Sequence, residues 1–361
     1  MSADTKNVNE NWLLVATILP SAVAFLLGTL LSIAQPAIQT EFNAPTSQVL
    51  WVINAYQLFL SALILLGGSL GDHFGRNRIF LIGISGFTFA SLLCGLAPSI
   101  EWLIIFRALQ GVAGALMVPG SLAILSAVVA PERRGVTIGL WATFTTLATM
   151  VAIPIGGFIV RIGLWRGAFL MTIPFCLIGL YALVRYVPES RDDDAQNAKL
   201  DYWGALLITL ALAGVTYGIS EINALDTLGL LITLGGGVVA FILFLWVESG
   251  NRHALVPFYL FKNRTFSGTN ILTLFLYGAL GAAFTFLPLN LIQIQGYPED
   301  IAGIATLPVS IGIALLGRWS GKWVDRFGAR PLLTIGPILT GIGFGLLGLV
   351  GITGGTAAYW T

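Results

Sequence analysis

The sequence predicts an all-α integral membrane protein with about eleven transmembrane helices. Hydrophobic residues make up 56% of the chain, charged residues make up only 10%, and the mean hydropathy is +0.87. Soluble domains carry about 25% charged residues. Apolar stretches of about 20 residues, which is the length that crosses a bilayer, recur along the whole chain. The basic residues between them alternate in abundance, as they do in multi-pass membrane proteins.

Each predicted span is an apolar stretch bounded by polar or charged residues. Of the 18 lysines and arginines, only Arg161 and Arg166 fall on one side of the membrane, Arg107 and Arg318 fall within spans, and the rest fall on the other side. The positive-inside rule therefore predicts a cytoplasmic N-terminus. We expect the protein to lie in the cell membrane, a location that the family resemblance described below implies. The predicted spans are Trp12–Ile38, Gln48–Gly71, Ile79–Ala97, Ile100–Val129, Gly135–Ile162, Ala168–Val187, Trp203–Ile219, Leu228–Val247, Phe266–Gln293, Asp300–Val324 and Pro331–Ile352.

Two charged segments divide the chain into three predicted parts. The first, PESRDDDAQNAKLD, covers residues 188–201, and the second covers residues 248–264. We predict an N-terminal six-helix bundle over residues 1–190. A charged linker and an inserted pair of helices, the seventh and eighth, follow over residues 191–255. An incomplete C-terminal bundle of helices 9–11 occupies residues 256–361.

A short charged turn occurs twice, each time between two apolar spans. The first copy is GSLGDHFGRNR, from Gly68 to Arg78, and the weaker second copy is GKWVDRFGAR, from Gly321 to Arg330. Each copy connects the second and third helices of its unit, which indicates an internal repeat of one folding unit. The corresponding pairs are Asp72 with Asp325 and Gly75 with Gly328.

The residue types of this turn predict its local structure. Gly68 gives its helix a small face against which another helix can pack, and Gly75 permits a positive φ where the chain reverses. Arg76 and Arg78 form a cationic edge. Asp72 ends its own helix, where the macrodipole disfavours an anion, so we expect it to face an arginine or the start of a neighbouring helix. The alternative is a plain solvated turn.

Several segments together resemble the major facilitator superfamily, most closely its fourteen-helix drug:proton antiporter branch. The first charged turn matches the superfamily's signature between helices 2 and 3, and the inserted helix pair is typical of this branch. Further segments resemble, in chain order, the Arg-containing signature of helix 4, the start of helix 6, the start of the inserted pair and the end of helix 9. These are RALQGVAGA (107–115), WRGAFLMTIP (165–174), LDYWGALL (200–207) and FLPLNLIQIQGY (286–297).

The resemblance implies a secondary active transporter that exports a small lipophilic or amphipathic organic solute by alternating access, in exchange for protons. It implies that Arg107 and Gln110 take part in coupling or in handling the substrate. It also implies a conformational latch on the cytoplasmic face. The expected latch residues are Gly68, Asp72, Gly75, Arg76 and Arg78, with Asp325, Arg326 and Gly328 as the counterpart.

The chain departs from the family pattern at several points. Leu27 stands where the branch usually has an aspartate in helix 1, and Ala152 and Ile153 stand where helix 5 usually has a Gly-Pro pair. The pattern also requires three more helices after Ile352, whereas the chain stops at Thr361. We therefore expect a chain that is truncated at its C-terminus.

Polar and aromatic residues within the spans are the candidates for a substrate cavity. An apolar cavity with few polar groups suits a lipophilic or amphipathic solute. For each of these residues taken singly, packing between helices is the alternative. The candidates are Asn54, Tyr56, Gln57, Phe144, Asn270, Asn290 and Gln293.

The charged residues within the spans do not identify a coupling ion. Arg107 lies inside helix 4, where an arginine costs about 2.5–3.5 kcal/mol on insertion scales and usually faces a cavity or a partner; the alternative is snorkelling to the surface. The 17 acidic residues fall in loops or at helix ends, so proton exchange rests on the resemblance alone. A facilitator without proton coupling and a non-transporting protein, either a sensor or an inactive product, remain alternatives.

Other classes of function lack the residues that they need. His73 and His253 are the only histidines, and no cluster of ligands or nucleophile-base pair predicts an enzyme or a metal site. No Gly-rich phosphate loop ending in Lys-Ser or Lys-Thr predicts direct use of ATP. A net charge of +1 does not indicate nucleic acid. We expect no cofactor and no obligate protein partner; the expected partners are a small-molecule substrate, the lipid bilayer and, from the resemblance, protons.

Overall fold

The computed structural model describes most of the chain as helix. It describes residues 10–190, 201–222, 225–251, 254–256, 258–291 and 326–349, together with residues 296, 308, 311–312, 315–316, 319–320 and 323. Within this part, ten helices are long and apolar enough to cross a membrane. They are α1 Glu10–Phe42, α2 Thr46–Phe74, α3 Arg76–Gly95, α4 Ile100–Val128, α5 Pro131–Arg161, α6 Gly167–Tyr186, α7 Tyr202–Ser220, α8 Thr227–Gly250, α9 Arg264–Leu289 and α10 Ala329–Leu349.

The all-α membrane fold is confirmed. Ten predicted spans coincide with these helices, with end points that differ by four residues or fewer. The helices extend beyond the apolar stretches at several ends, because helical hydrogen bonding continues into polar flanks such as Glu10 and Arg76. The eleventh predicted span, Asp300–Val324, lies largely outside the described residues.

The chain divides into two compact units, residues 1–257 and 258–361. The first unit holds α1–α8, so the inserted pair α7–α8 packs with the N-terminal helices, through contacts of α7 with α2. The second unit holds α9 and α10. The three-part boundaries predicted from the charged linkers remain a prediction.

The core of the first unit is built on α1 and on the contacts of α4 with α2 and α3. Leu27, Leu30 and Leu31 of α1 are buried, and so are Phe80 and Phe87 of α3. Leu27 is thus a buried packing residue at the position where the related branch usually has an aspartate.

Glycines allow several of these helices to approach each other closely. A Cβ added at Gly67 of α2 would lie 2.1 Å from the carbonyl oxygen of Ala115, and one at Gly111 of α4 would lie 2.5 Å from that of Tyr56. A Cβ at Gly214 of α7 would lie 2.7 Å from the carbonyl oxygen of Thr233 in α8. Small residues of this kind let membrane helices pack backbone to backbone, and this packing places α2 between α4 and α7.

Candidate functional site

Arg107 lies buried at the contact between α4 and α2. It is only 1% exposed, so the snorkelling alternative does not hold. Its Nε donates a hydrogen bond to the carbonyl oxygen of Val52 at 2.8 Å. The guanidinium carbon lies 4.3 Å from the centre of the Tyr56 ring, a distance at which a cation is attracted to the face of an aromatic ring.

The hydrogen bonds of Arg107 continue across α4 to α3. Arg107 Nη1 donates to Gln110 Oε1 at 2.5 Å, and Gln110 Nε2 donates to Ser91 Oγ at 2.6 Å. Ser91 Oγ donates in turn to the carbonyl oxygen of Phe87 at 2.8 Å. Arg107, Gln110 and Ser91 are all buried. We call this connected set, with Tyr56, the Arg107 network.

The Arg107 network carries a positive charge on the guanidinium of Arg107. Among the residues that the structure describes, no carboxylate forms a salt bridge with Arg107. An arginine side chain does not lose its proton in proteins, so the network supplies a fixed cation in a region of low dielectric. Such a charge attracts anions and repels cations more strongly than the same charge would in water.

The first charged turn contains a compact ion pair. Arg76, the first residue of α3, directs both Nε and Nη2 to Asp72 Oδ1, each at 2.7 Å. Asp72 lies in the last turn of α2, and its side chain is 39% exposed. The expected arginine partner is therefore Arg76, four residues along in the same turn, at the start of the next helix. Gly75 has φ +109°, which confirms the predicted positive φ.

The segment after α6 covers this turn. The backbone N–H of Asn77 donates to Glu189 Oε1 at 3.0 Å, and Asn77 Nδ2 donates to the carbonyl oxygen of Val187 at 2.8 Å. The N–H of Arg76 donates to the carbonyl oxygen of Ser190 at 2.9 Å. Glu189 was not a predicted site residue. The sequence does contain a signal for it. The first N–H groups of α3 need acceptors, and Glu189 is an acid that follows α6 on the same predicted side of the membrane.

Gly68 of the turn contributes differently from expectation. The close helix approach predicted at Gly68 occurs at Gly67, since a Cβ at Gly68 would have ordinary contact with Pro119 at 3.8 Å. Successive helical residues point about 100° apart, which turns Gly68 away from the backbone of α4. Arg78 is exposed.

The second copy of the turn is described only in part. Asp325 lies outside the described residues. Arg326 is exposed, with its guanidinium 5.2 Å from the centre of the Phe327 ring. Gly328 has φ +78°, so both turn glycines use the left-handed region. The latch function of the two turns remains a prediction.

The predicted cavity residues fall into separate groups. Tyr56 faces the Arg107 network, whereas Asn54 and Gln57 lie on the α7 side of α2. Phe144 of α5 is 50% exposed.

In the second unit, Asn270 of α9 is exposed and donates to the carbonyl oxygen of Phe266 within its own helix at 2.8 Å. Asn290 is half-buried, and Gln293 lies outside the described residues. The role of the seven predicted residues in binding a substrate remains a prediction.

A second buried polar cluster lies at the ends of the inserted pair. Asp201 and Glu248 are 5% and 2% exposed. Asp201 caps α7 through the N–H of Gly204 at 2.7 Å and accepts from Asn251 Nδ2 at 2.7 Å. Glu248 accepts from the N–H groups of Leu255 and Val256 at 3.2 and 3.1 Å. It therefore connects the end of α8 to the segment that follows this helix.

A third cluster lies at the other end of the first unit. Arg166 forms an ion pair with Glu41 at 2.7 Å and donates to the carbonyl oxygen of Ala97 at 2.8 Å. Trp165 Nε1 also donates to Glu41. The Trp-Arg pair at the start of α6 thus binds the end of α1 to the turn after α3.

Comparison with known families matches residues 18–361 to the description Major Facilitator Superfamily. The chain belongs to this superfamily. It is 31% identical over 335 residues to the "Tetracenomycin C resistance and export protein" of Streptomyces glaucescens, an alignment that covers 90% of this chain and 61% of that protein. It is also 31% identical over 345 residues to the "Multidrug resistance protein Stp" of Mycobacterium tuberculosis, covering 93% of this chain and 62% of that protein.

Solved structures show the same fold at lower identity. The chain is similar to a POT family transporter in complex with a thioalcohol-conjugated peptide, with a TM-score of 0.68 and 14% identity. That alignment covers 97% of this chain and 78% of the other. The chain spans about 61% of the length of the export and resistance proteins that it matches. The predicted superfamily and the multi-pass membrane character are thereby confirmed.

Proposed function

We propose that the protein is a secondary active transporter that exports a small amphipathic organic solute across the cell membrane. Relatives at 31% identity are named as an export protein and as a multidrug resistance protein. The observation in the structure that carries the proposal is the Arg107 network. In it a buried arginine bonds to groups of α2 and α4, and Gln110 extends the network to Ser91 of α3. A charge at membrane depth typically marks a solute or ion pathway.

Exchange for protons is the coupling that we assign to this transporter. An antiporter must disfavour simultaneous occupancy by solute and proton. A fixed cation contributes one part of this coupling, because it favours release of the proton from a nearby group and so leaves that group free for the solute. At an effective dielectric constant of about 20, two like charges about 4 Å apart repel by about 4 kcal/mol. Because arginine itself keeps its proton, Arg107 acts in this proposal as the fixed charge, and a carboxylate or the solute carries the proton.

Alternating access is the proposed transport cycle, with the two charged turns as a latch at the cytoplasmic face. The Asp72–Arg76 pair and the Glu189 contact hold the α2–α3 turn in one arrangement. Breaking or remaking such contacts changes the balance between two conformations of a transporter. The cytoplasmic location of this face follows from the distribution of basic residues.

Flux measurement in vesicles tests this function. The 361-residue chain is reconstituted in liposomes, and efflux of the neutral dye 1,8-dihydroxyanthraquinone and of the cation ethidium is followed with and without a pH gradient. We expect efflux of at least one dye that is several-fold faster with the gradient and falls when nigericin collapses it. Efflux that ignores the gradient would leave a facilitator, and no efflux beyond that of empty liposomes would overturn the transporter assignment.

A further inference from the structure

A polar cleft lies between α2 and α7, within the first unit. It has a volume of about 200 Å³. We call it the α2–α7 cleft. Its lining comprises Asn54, Gln57, Leu58 and Ser61 of α2 with Leu212 and Thr216 of α7.

One end of the α2–α7 cleft is closed by contacts between the two helices. Trp51 Nε1 donates to Glu221 Oε1 at 3.2 Å, and the Trp51 and Tyr217 rings lie 5.5 Å apart. Asn54 Nδ2 lies 3.4 Å from Ser220 Oγ. These contacts join the first bundle to the inserted pair, so the cleft is bounded by both.

The hydroxyl of Thr216 differs from those of several threonines within the membrane helices. Thr17, Thr145, Thr209 and Thr233 each donate to a carbonyl oxygen three or four residues earlier. In the described part of the chain Thr216 makes no such bond, although its helix is regular. Its hydroxyl is therefore available to a group in the cleft.

Gln57 and Ser61 likewise have no hydrogen-bond partner among the described residues. They lie four residues apart on α2, and both line the cleft. Gln57 and Ser61 are exposed and Thr216 is half-buried, so these groups are open to exchange between water and a ligand. Polar residues within membrane helices usually face a partner or a pathway. A carboxamide and two hydroxyls that converge without partners point to a bound polar group.

We propose that the α2–α7 cleft binds a neutral amphipathic organic solute through its carbonyl or hydroxyl groups. This rests on the proposed function in that the solute is the transported one. Among the residues that the structure describes, the cleft is lined by amide, hydroxyl and leucine side chains and by no charged side chain. The nearby acid Glu221 is bonded to Trp51, and the Arg107 network lies on the α4 side of α2.

The size of the cleft limits how much of a solute it holds. Sites for drug-sized ligands have volumes of about 300–1,000 Å³, so a cleft of about 200 Å³ holds one polar edge of the solute. The remainder extends out of the cleft between the helices. This arrangement gives the inserted pair α7–α8 a direct part in recognition.

Binding to matched variants tests the proposal. The purified 361-residue chain is titrated with 1,8-dihydroxyanthraquinone, which is neutral and carries carbonyl and hydroxyl groups, and with tetraphenylphosphonium, which is lipophilic but has no hydrogen-bonding groups. We expect Thr216→Val to raise the Kd of the anthraquinone about fivefold and Gln57→Leu to raise it about tenfold. Thr209→Val removes a hydroxyl from the same helix that is already bonded to Ala205, so it should change that Kd less than twofold.

The outcomes separate this site from the transport function. Equal effects of Thr216→Val and Thr209→Val, or no binding of the anthraquinone to the wild-type chain, would overturn the cleft as its site. A loss of tetraphenylphosphonium binding equal to that of the anthraquinone would show a general packing defect and would also overturn it. Normal dye efflux with unaltered anthraquinone affinity in Thr216→Val would retain the transporter and reject the cleft. Weakened binding in a chain without efflux would retain the cleft and reject the transporter.

Discussion

The two sides of helix α2 differ in how fully their polar groups are hydrogen-bonded. Toward α4, the carbonyl of Val52 and the ring of Tyr56 hold the buried Arg107, whose chain of hydrogen bonds runs on to Ser91. Toward α7, Gln57 lines an open cleft without a hydrogen-bond partner in the described part of the chain. A satisfied network at membrane depth fixes the helices that contain it, whereas unpaired polar groups remain available to a ligand.

In the proposed transporter, this difference gives the two sides of α2 separate tasks. The α4 side supplies charge and rigidity, because its polar atoms are paired and its glycines allow backbone contact. The α7 side supplies hydrogen-bonding groups that can be exchanged between solute and water. Variants that affect one side should therefore leave the other side largely intact.

Arg107→Met should have the largest combined effect, because it should lower both transport and stability. The variant removes the fixed charge and leaves Gln110 and the Val52 carbonyl without their donor, and an unpaired buried polar group costs about 1–3 kcal/mol. We expect dye efflux to fall at least a hundredfold and the unfolding temperature in detergent to fall. Arg185→Gln, at an exposed arginine of α6, is the control and should retain efflux within twofold. Full efflux in Arg107→Met would show that transport does not depend on the Arg107 network.

Asp72→Asn should abolish transport while leaving membrane insertion and most of the stability intact. The change removes the charge that pairs with Arg76 at 2.7 Å. A pair this exposed contributes about 1 kcal/mol or less to stability. Efflux rate and the amount of inserted, folded protein are measured on the same vesicles. Unchanged efflux would show that the turn is only a solvated connection between two helices, which is the alternative interpretation of its sequence.

Gly111→Ala should destabilise the α2–α4 contact without removing any polar group. The added Cβ would lie 2.5 Å from the carbonyl oxygen of Tyr56, and overpacking of this kind costs about 1–3 kcal/mol. Thermal unfolding in detergent measures the loss. Gly139→Ala in α5 is the matched control, because no atom lies within 4 Å of its added Cβ. Equal unfolding temperatures for the two variants would show that α2 can shift away from α4 at no cost.

The helices could be predicted from the sequence, because the length of an apolar stretch must match the bilayer. Their ends could not, since Glu10 and Arg76 lie in helices that continue beyond the apolar stretch. Which of two neighbouring glycines meets another helix depends on the rotation of the helix. Gly67 rather than Gly68 therefore makes the close contact with α4.

The sequence predicted those parts of the candidate site in which a single residue type requires a particular contact. A lone Arg107 inside a span required partners, and the spacing of Gln110 placed one of them on the same helix face. Ser91 and Glu189 come from distant segments, and only the packing of α3 against α4 and the path of the chain after α6 bring them into contact. Sequence spacing also could not show that Asn54 and Tyr56, two residues apart, serve different sides of α2.

Glu189→Gln should have the smallest effect and should depend on salt. Its carboxylate accepts the N–H of Asn77 at the start of α3, where an anion interacts favourably with the helix dipole by about 0.3–1 kcal/mol at low ionic strength. We expect a small fall in unfolding temperature in low salt and almost none in high salt, because exposed charges are screened. Glu101→Gln, whose carboxylate is bonded to Ser99 at the start of α4, is the control for a helix start away from the turn. If dye efflux falls in Glu189→Gln but not in Glu101→Gln, the segment after α6 belongs to the latch; equal efflux would confine the latch to the Asp72–Arg76 pair.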